Sequence, residues 1–143
     1  MKEKILFLDD LRTPDMIIDK LDNVEIYHVK NYAEFVEYIR ENNLPDKIYF
    51  DHDLGIEHTR FYFENGGHES PPDPLNGNFI EKTGYDCSHY LINYCLDNNL
   101  KLPEFVVHSH NPKGKENIEK LLNNFKKFQE NEKYEKTNIK RTY

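Results

Sequence analysis

Three short blocks of the chain hold most of the side chains suited to polar chemistry: Leu8-Asp9-Asp10-Leu11-Arg12, Asp51-His52-Asp53-Leu54-Gly55 and His108-Ser109-His110-Asn111-Pro112. Each follows directly on an apolar run, namely Ile5-Leu6-Phe7-Leu8, Ile48-Tyr49-Phe50 and Phe105-Val106-Val107. If those runs bring the blocks together, the carboxylates of Asp9, Asp10, Asp51 and Asp53 repel one another unless a cation or bound protons offset the charge. A divalent metal is the economical answer. Carboxylates with carbonyls and water suit Mg²⁺ or Mn²⁺, whereas an added imidazole from His52, His108 or His110 moves the preference toward Mn²⁺, Fe²⁺ or Zn²⁺. The plain alternative is that Asp10 or Asp53 merely caps a turn or a helix.

His52 stands between two aspartates, and a neighbouring carboxylate fixes an imidazole tautomer and raises its pKa. His108 and His110 are two apart, so an extended strand would point both to one side with Ser109 opposite. Either is then a candidate acid or base near neutral pH, although each alone also fits an ordinary core or surface histidine. Pro112-Lys113-Gly114-Lys115 begins a helical pattern, and a helix start favours an anion through its free N–H groups and macrodipole. Ser109 and Asn111 add neutral donors to that anion site, and Lys113, Lys115 and Arg12 add cationic ones. Arg12 equally suits an ion pair with the aspartates before it.

The elements that must position these groups follow from periodicity. Ile5–Leu8, Val24–Tyr27, Lys47–Phe50 and Glu104–Val107 are short apolar runs that predict buried parallel strands. A short helix is expected after Pro14, through Met16, Ile17, Ile18 and Leu21. A clearer one starts at the N-cap Asn31 and carries Tyr32, Phe35, Val36 and Ile39 until Asn42-Asn43 and Pro45 stop it. A third opens at Thr83-Gly84-Tyr85-Asp86 and ends near Asn98-Asn99, and a fourth starts at Pro112 with Ile118, Leu121, Leu122, Phe125 and Phe128 as its stripe. Between about 56 and 82, Gly66-Gly67, Pro71-Pro72, Pro74 and Gly77 predict irregular backbone. That insert contains Arg60-Phe61-Tyr62-Phe63, aromatics beside a cation that suit either base stacking or the loop's own packing. From about Gln129 the tail is charged and expected to fray. Strands alternating with helices predict one α/β domain over residues 1–143, a three-layer sandwich on a mostly parallel sheet of four or five strands. Ligands of such sheets bind beyond the carboxyl ends of the strands, which is where the three polar blocks sit.

The 143 residues suffice for one core, and the formal charge of −7 excludes a general duplex-DNA coat, which needs clustered Lys and Arg. No apolar run reaches membrane-spanning length, and the expected location is the cytoplasm. Cys87 and Cys95 lie two helical turns apart, ~12 Å along the axis, too far to bridge, and read as reduced thiols.

Taken together, the blocks Leu6 to Pro14, Phe50 to Gly55, Thr83 to Asp86 and His108 to Ile118 resemble the cyclic-phosphate processing receiver domain family, a branch of the receiver-like, flavodoxin-like fold. The resemblance implies that Asp9, Asp10 and Asp51 match the acids that bind Mg²⁺ in receivers, with Asp51 at the phosphoryl-accepting position and Ser109 at the hydroxyl position. His52, His108 and His110 depart from ordinary receivers, and no fifth strand with its lysine is evident, which points away from phosphorelay signalling. The family name implies a cyclic phosphate, either a cyclic nucleotide or a cyclic-phosphate-ended RNA, and viral and bacterial settings. The expectation is a metal-dependent phosphoesterase with Asp51, His52, Asp53 and His108 at the chemistry. Arg12, Ser109, His110, Asn111 and Lys113 would bind phosphate, and Asp9, Asp10 and Asp51 the metal. The alternative is a receiver-like module that binds a cyclic nucleotide or a partner protein without turnover.

Overall fold

The structure, a computed structural model, describes residues 2–54 and 82–142. Its elements are strand β1 (Glu3–Leu8), a 3-10 turn (Pro14–Met16), β2 (Val24–Val29), helix α1 (Tyr32–Asn42), β3 (Lys47–Phe50), α2 (Gly84–Asn98), β4 (Glu104–Val107) and α3 (Pro112–Thr142). The four strands form one parallel sheet in the order β2-β1-β3-β4. This is the α/β receiver-like, flavodoxin-type fold expected from the sequence. The insert expected at about 56–82, with Arg60 and its aromatic neighbours, lies outside the described residues except for its last residue.

Strand order dictates where the helices go. The steps from β2 to β3 and from β3 to β4 run the same way across the sheet, so right-handed crossovers put α1 and α2 on one face. There Leu6, Leu8, Ile48 and Phe50 pack against Phe35, Tyr38 and Ile39 of α1, Leu91 and Cys95 of α2, and Ile118, Leu122 and Phe125 of α3. Fully burying each such side chain stabilises by about 1.5–3 kcal/mol, which makes this face the main core. The step from β1 to β2 runs the other way, and its connection covers the opposite face, where Ile18 and the partly buried Ile17 meet Ile5, Phe7 and Tyr49.

Two elements differ from the sequence expectation. The first crossover is a 3-10 turn rather than a helix, with Met16 66% exposed and Leu21 43% exposed, because its apolar residues form no second turn of stripe. The charged tail from Gln129 lies within a helix: α3 runs to Thr142, and no glycine or proline follows Gly114 to interrupt it. Helix ends behave as read. Asn31 accepts from the Glu34 N–H at 2.9 Å to start α1, and Asn43 and Asn99 end α1 and α2 with positive φ of 67° and 54°.

Candidate functional site

The parallel register aligns Leu8 with Phe50 and Phe50 with Val107, so β1, β3 and β4 end in step. The next residues are Asp9, Asp51 and His108, and their N–H groups continue the ladder to Val29, Leu8 and Phe50 carbonyls at 3.1, 3.0 and 2.9 Å. Side chains alternate across a sheet, so all three fall on the side of Phe7 and Tyr49, away from the helices. His52, one step out of phase with Asp51, falls on the helical side.

Asp9 is the hub. Its side chain is fully buried. Oδ1 accepts the Leu11 and Arg12 N–H groups at 2.9 and 2.8 Å, and Oδ2 accepts Arg12 Nε at 2.8 Å and His108 Nε2 at 3.0 Å. Burial by itself pushes its pKa up, but the hydrogen bonds from His108, Arg12 and Leu11 and the guanidinium charge outweigh it and hold Asp9 at about 2. Asp9 is therefore ionised and acts only as an acceptor, so His108 donates to it through Nε2. His108 stacks on Phe7 with ring centroids 5.0 Å apart and planes within 6°, and its buried Nδ1 has no hydrogen-bond partner among the described residues.

Asp51 is the opposite case. Burial, and then the Asp9 carboxylate beside it, push its pKa up to about 7, with the Arg12 charge offsetting part of the rise. Arg12 reaches it through Nη2 at 3.4 Å. Asp10 completes the group: one oxygen each of Asp9, Asp10 and Asp51 lies within 4.8 Å of the others. When all three are ionised, one guanidinium leaves two negative charges to balance, and the donors are all hard oxygens. Mg²⁺ or Mn²⁺ fits that chemistry, since among the described residues the set holds carboxylates alone and no imidazole. The set does not include Asp53.

The block around Asp51 explains two glycines. His52 is fully buried, its Nδ1 2.8 Å from Asp53 Oδ1, and its ring is so close beneath Gly114 that a β-carbon there would come within 2.6 Å of Cδ2. Gly84 donates its N–H to the His52 carbonyl at 2.8 Å, and a β-carbon at 84 would overlap the Asp51 carbonyl oxygen. Thr83 and Asp86 form a capping box that fixes this approach.

Asn111 does not offer its amide to an anion, as the sequence reading expected. It is 2% exposed and caps α3, accepting the Gly114 N–H at 3.0 Å while its Nδ2 donates to Asp53 Oδ1 at 3.3 Å. His108 and His110 do not share an environment either. The strand stops at Val107 and the chain bends at residue 110, so the His108 side chain is 5% exposed and His110 is exposed. Ser109 is half-buried and its Oγ accepts the Asn111 N–H at 3.1 Å; Lys113 is exposed at the rim. One site residue was missed. His28 of β2 stands opposite Phe7 in register, packs edge-on against it, and donates from Nε2 to the Asp9 carbonyl at 2.7 Å. Its signal in the sequence is a lone histidine at the carboxyl end of the strand paired with β1.

A family model for the cyclic-phosphate processing receiver domain matches residues 4–124, which span all four strands, α1, α2 and the start of α3. No curated protein and no solved structure matches the chain. With the matched span holding the acidic set, the Asp9–His108 pair and the glycines packed beneath them, this chain belongs to the cyclic-phosphate processing receiver domain family.

Proposed function

We propose that the chain is a metal-dependent phosphoesterase that opens a cyclic phosphate on a nucleotide or an RNA end. The observation that carries this reading is the ionised Asp9, which holds His108 through Nε2 at 3.0 Å and is itself one of the three carboxylates, with Asp10 and Asp51, whose oxygens lie close enough to share an ion. A bound divalent cation would neutralise charge on the phosphoryl oxygens and acidify a water. Asp9, Asp10 and Asp51 would hold it.

His108 supplies the proton chemistry. With Nε2–H committed to Asp9, Nδ1, which is buried, would have to be uncovered by the substrate and would then take the proton from the attacking water as the new O–P bond forms and one ring P–O bond breaks; the released sugar oxygen would then take the proton back. Asp9 stabilises the imidazolium between these steps. His52 has a different part, because its ring lies on the helical side under Gly114: it fixes Asp53, as does Asn111. Ser109, His110 and Lys113 would meet the substrate's phosphate and sugar.

The test is a product assay on a panel of 2′,3′-cyclic and 3′,5′-cyclic nucleotides and cyclic-phosphate-ended RNA, with Mg²⁺, Mn²⁺ or chelator. Metal-dependent opening of one class supports the reading. Tight binding of a cyclic nucleotide that is recovered unchanged would replace it with a binding module.

A further inference from the structure

The geometry points to Arg12 as a resident cation that the divalent metal displaces, and whose freed guanidinium then grips the substrate's phosphoryl oxygens. This inference rests on the metal-dependent reading above. A carboxylate offers about four acceptor positions, and all four on Asp9 are taken: Leu11 N–H and Arg12 N–H on Oδ1, Arg12 Nε and His108 Nε2 on Oδ2. A metal that ligates Asp9 directly must therefore remove one donor. Three of the four are fixed. The Leu11 and Arg12 amides belong to the turn that folds back on Asp9, and the His108 ring is clamped in a stack against Phe7. Only the guanidinium sits at the end of a long, jointed side chain, and that side chain is 16% exposed, at the solvent edge of the cluster.

Charge argues the same way. Arg12 bridges Asp9 at 2.8 Å and Asp51 at 3.4 Å, two of the three carboxylates with oxygens close enough for a shared ion. A guanidinium and a divalent ion competing for the same oxygens repel each other, so occupancy by one weakens the other. When the side chain swings out, its backbone stays pinned through the Arg12 N–H to Asp9 Oδ1, so the planar fork remains tethered at the rim. A tethered fork matches two phosphoryl oxygens of a cyclic phosphate diester, which a lysine would not do. The ion-pair and phosphate roles of Arg12 then become two positions of one side chain.

The test is titration calorimetry of the full chain with MgCl₂ and MnCl₂, and then of the metal-loaded protein with inorganic phosphate, for wild type and Arg12→Gln. Removing a competitor should tighten metal binding by about tenfold, while loss of the charge-assisted fork should weaken phosphate by about tenfold. Metal binding that is equal or weaker in the variant overturns the exchange, because a residue that only orders Asp9 would act in that direction. Absence of metal binding in both proteins overturns the exchange together with the metal-dependent reading, and the two failures are thereby distinguishable. Should Arg12→Gln not fold, the Arg12 Nε–H resonance of the wild type decides. It should leave its ion-paired position on saturation with Mg²⁺, and an unmoved resonance at saturation contradicts the proposal.

Discussion

His108 Nε2 donates to Asp9 Oδ2 at 3.0 Å across 99 positions of sequence. The pair exists because β1, β3 and β4 end in register, which sets Asp9, Asp51 and His108 side by side on the face that carries Phe7. Its chemical consequence is directional: an ionised carboxylate on Nε2 leaves Nδ1 as the ring nitrogen that Asp9 does not hold.

His108→Gln should therefore lower kcat by about 10²- to 10⁴-fold, the usual worth of a positioned acid–base group, while metal affinity stays within a few-fold of wild type. Steady-state kinetics and calorimetry on the same preparation check this. A parallel loss of metal binding would mean that His108 serves the metal set instead.

Stability of the metal-free protein should depend on pH in two separate windows. Asp51 is raised from 3.8 to about 7, so its proton is held more tightly in the fold than in the unfolded chain, and stability falls as pH climbs from about 4 to about 7. Asp9 is lowered from 3.8 to about 2, so its contribution is present above about 4 and lost as pH falls toward 2. Asp51→Asn removes only the first effect. In chelator at pH 8 its melting temperature should exceed that of wild type by a few degrees, and the gap should close by pH 4. A variant less stable than wild type at pH 8 would contradict the assignment.

Gly84→Ala and Gly114→Ala should both destabilise, although alanine in a helix is intrinsically better than glycine by about 0.5–1 kcal/mol. The new methyl meets the Asp51 carbonyl at 84 and the His52 ring at 114, and overpacking costs about 1–3 kcal/mol or more. Backbone yields less readily than a ring, so the loss at 84 should be the larger in urea denaturation.

Asn111→Ala removes the α3 cap and one of the groups holding Asp53, and should cost about 0.5–2 kcal/mol in the same denaturation experiment. If Asn111 bound phosphate directly, the variant would instead lose phosphate affinity with its stability intact.

Much of this was legible from the residues. Apolar runs marked all four strands, the Asn caps marked helix ends, and the acids after β1 and β3 marked the carboxyl edge as the site. What escaped was phase. The sequence shows that Asp51 and Asp53 alternate with His52, but which of the two sets faces the helices depends on Phe50 packing inward, and that is settled by the crossovers. The same phase turns His108 toward Asp9, while the bend at 110 frees His110, a break that an extended-strand reading does not contain. His28 escaped because its partner is a backbone carbonyl, which no side-chain pattern reveals. Asn111 escaped because a cap and an anion donor look alike in sequence.

The most direct test of the account is turnover of a 2′,3′-cyclic nucleotide or a cyclic-phosphate-ended RNA by wild type and Asp51→Asn, each with Mn²⁺ and with chelator. The account predicts ring opening by wild type only when metal is present, and at least about a hundredfold less by the variant. Ring opening that persists in chelator, or that survives Asp51→Asn, would contradict it.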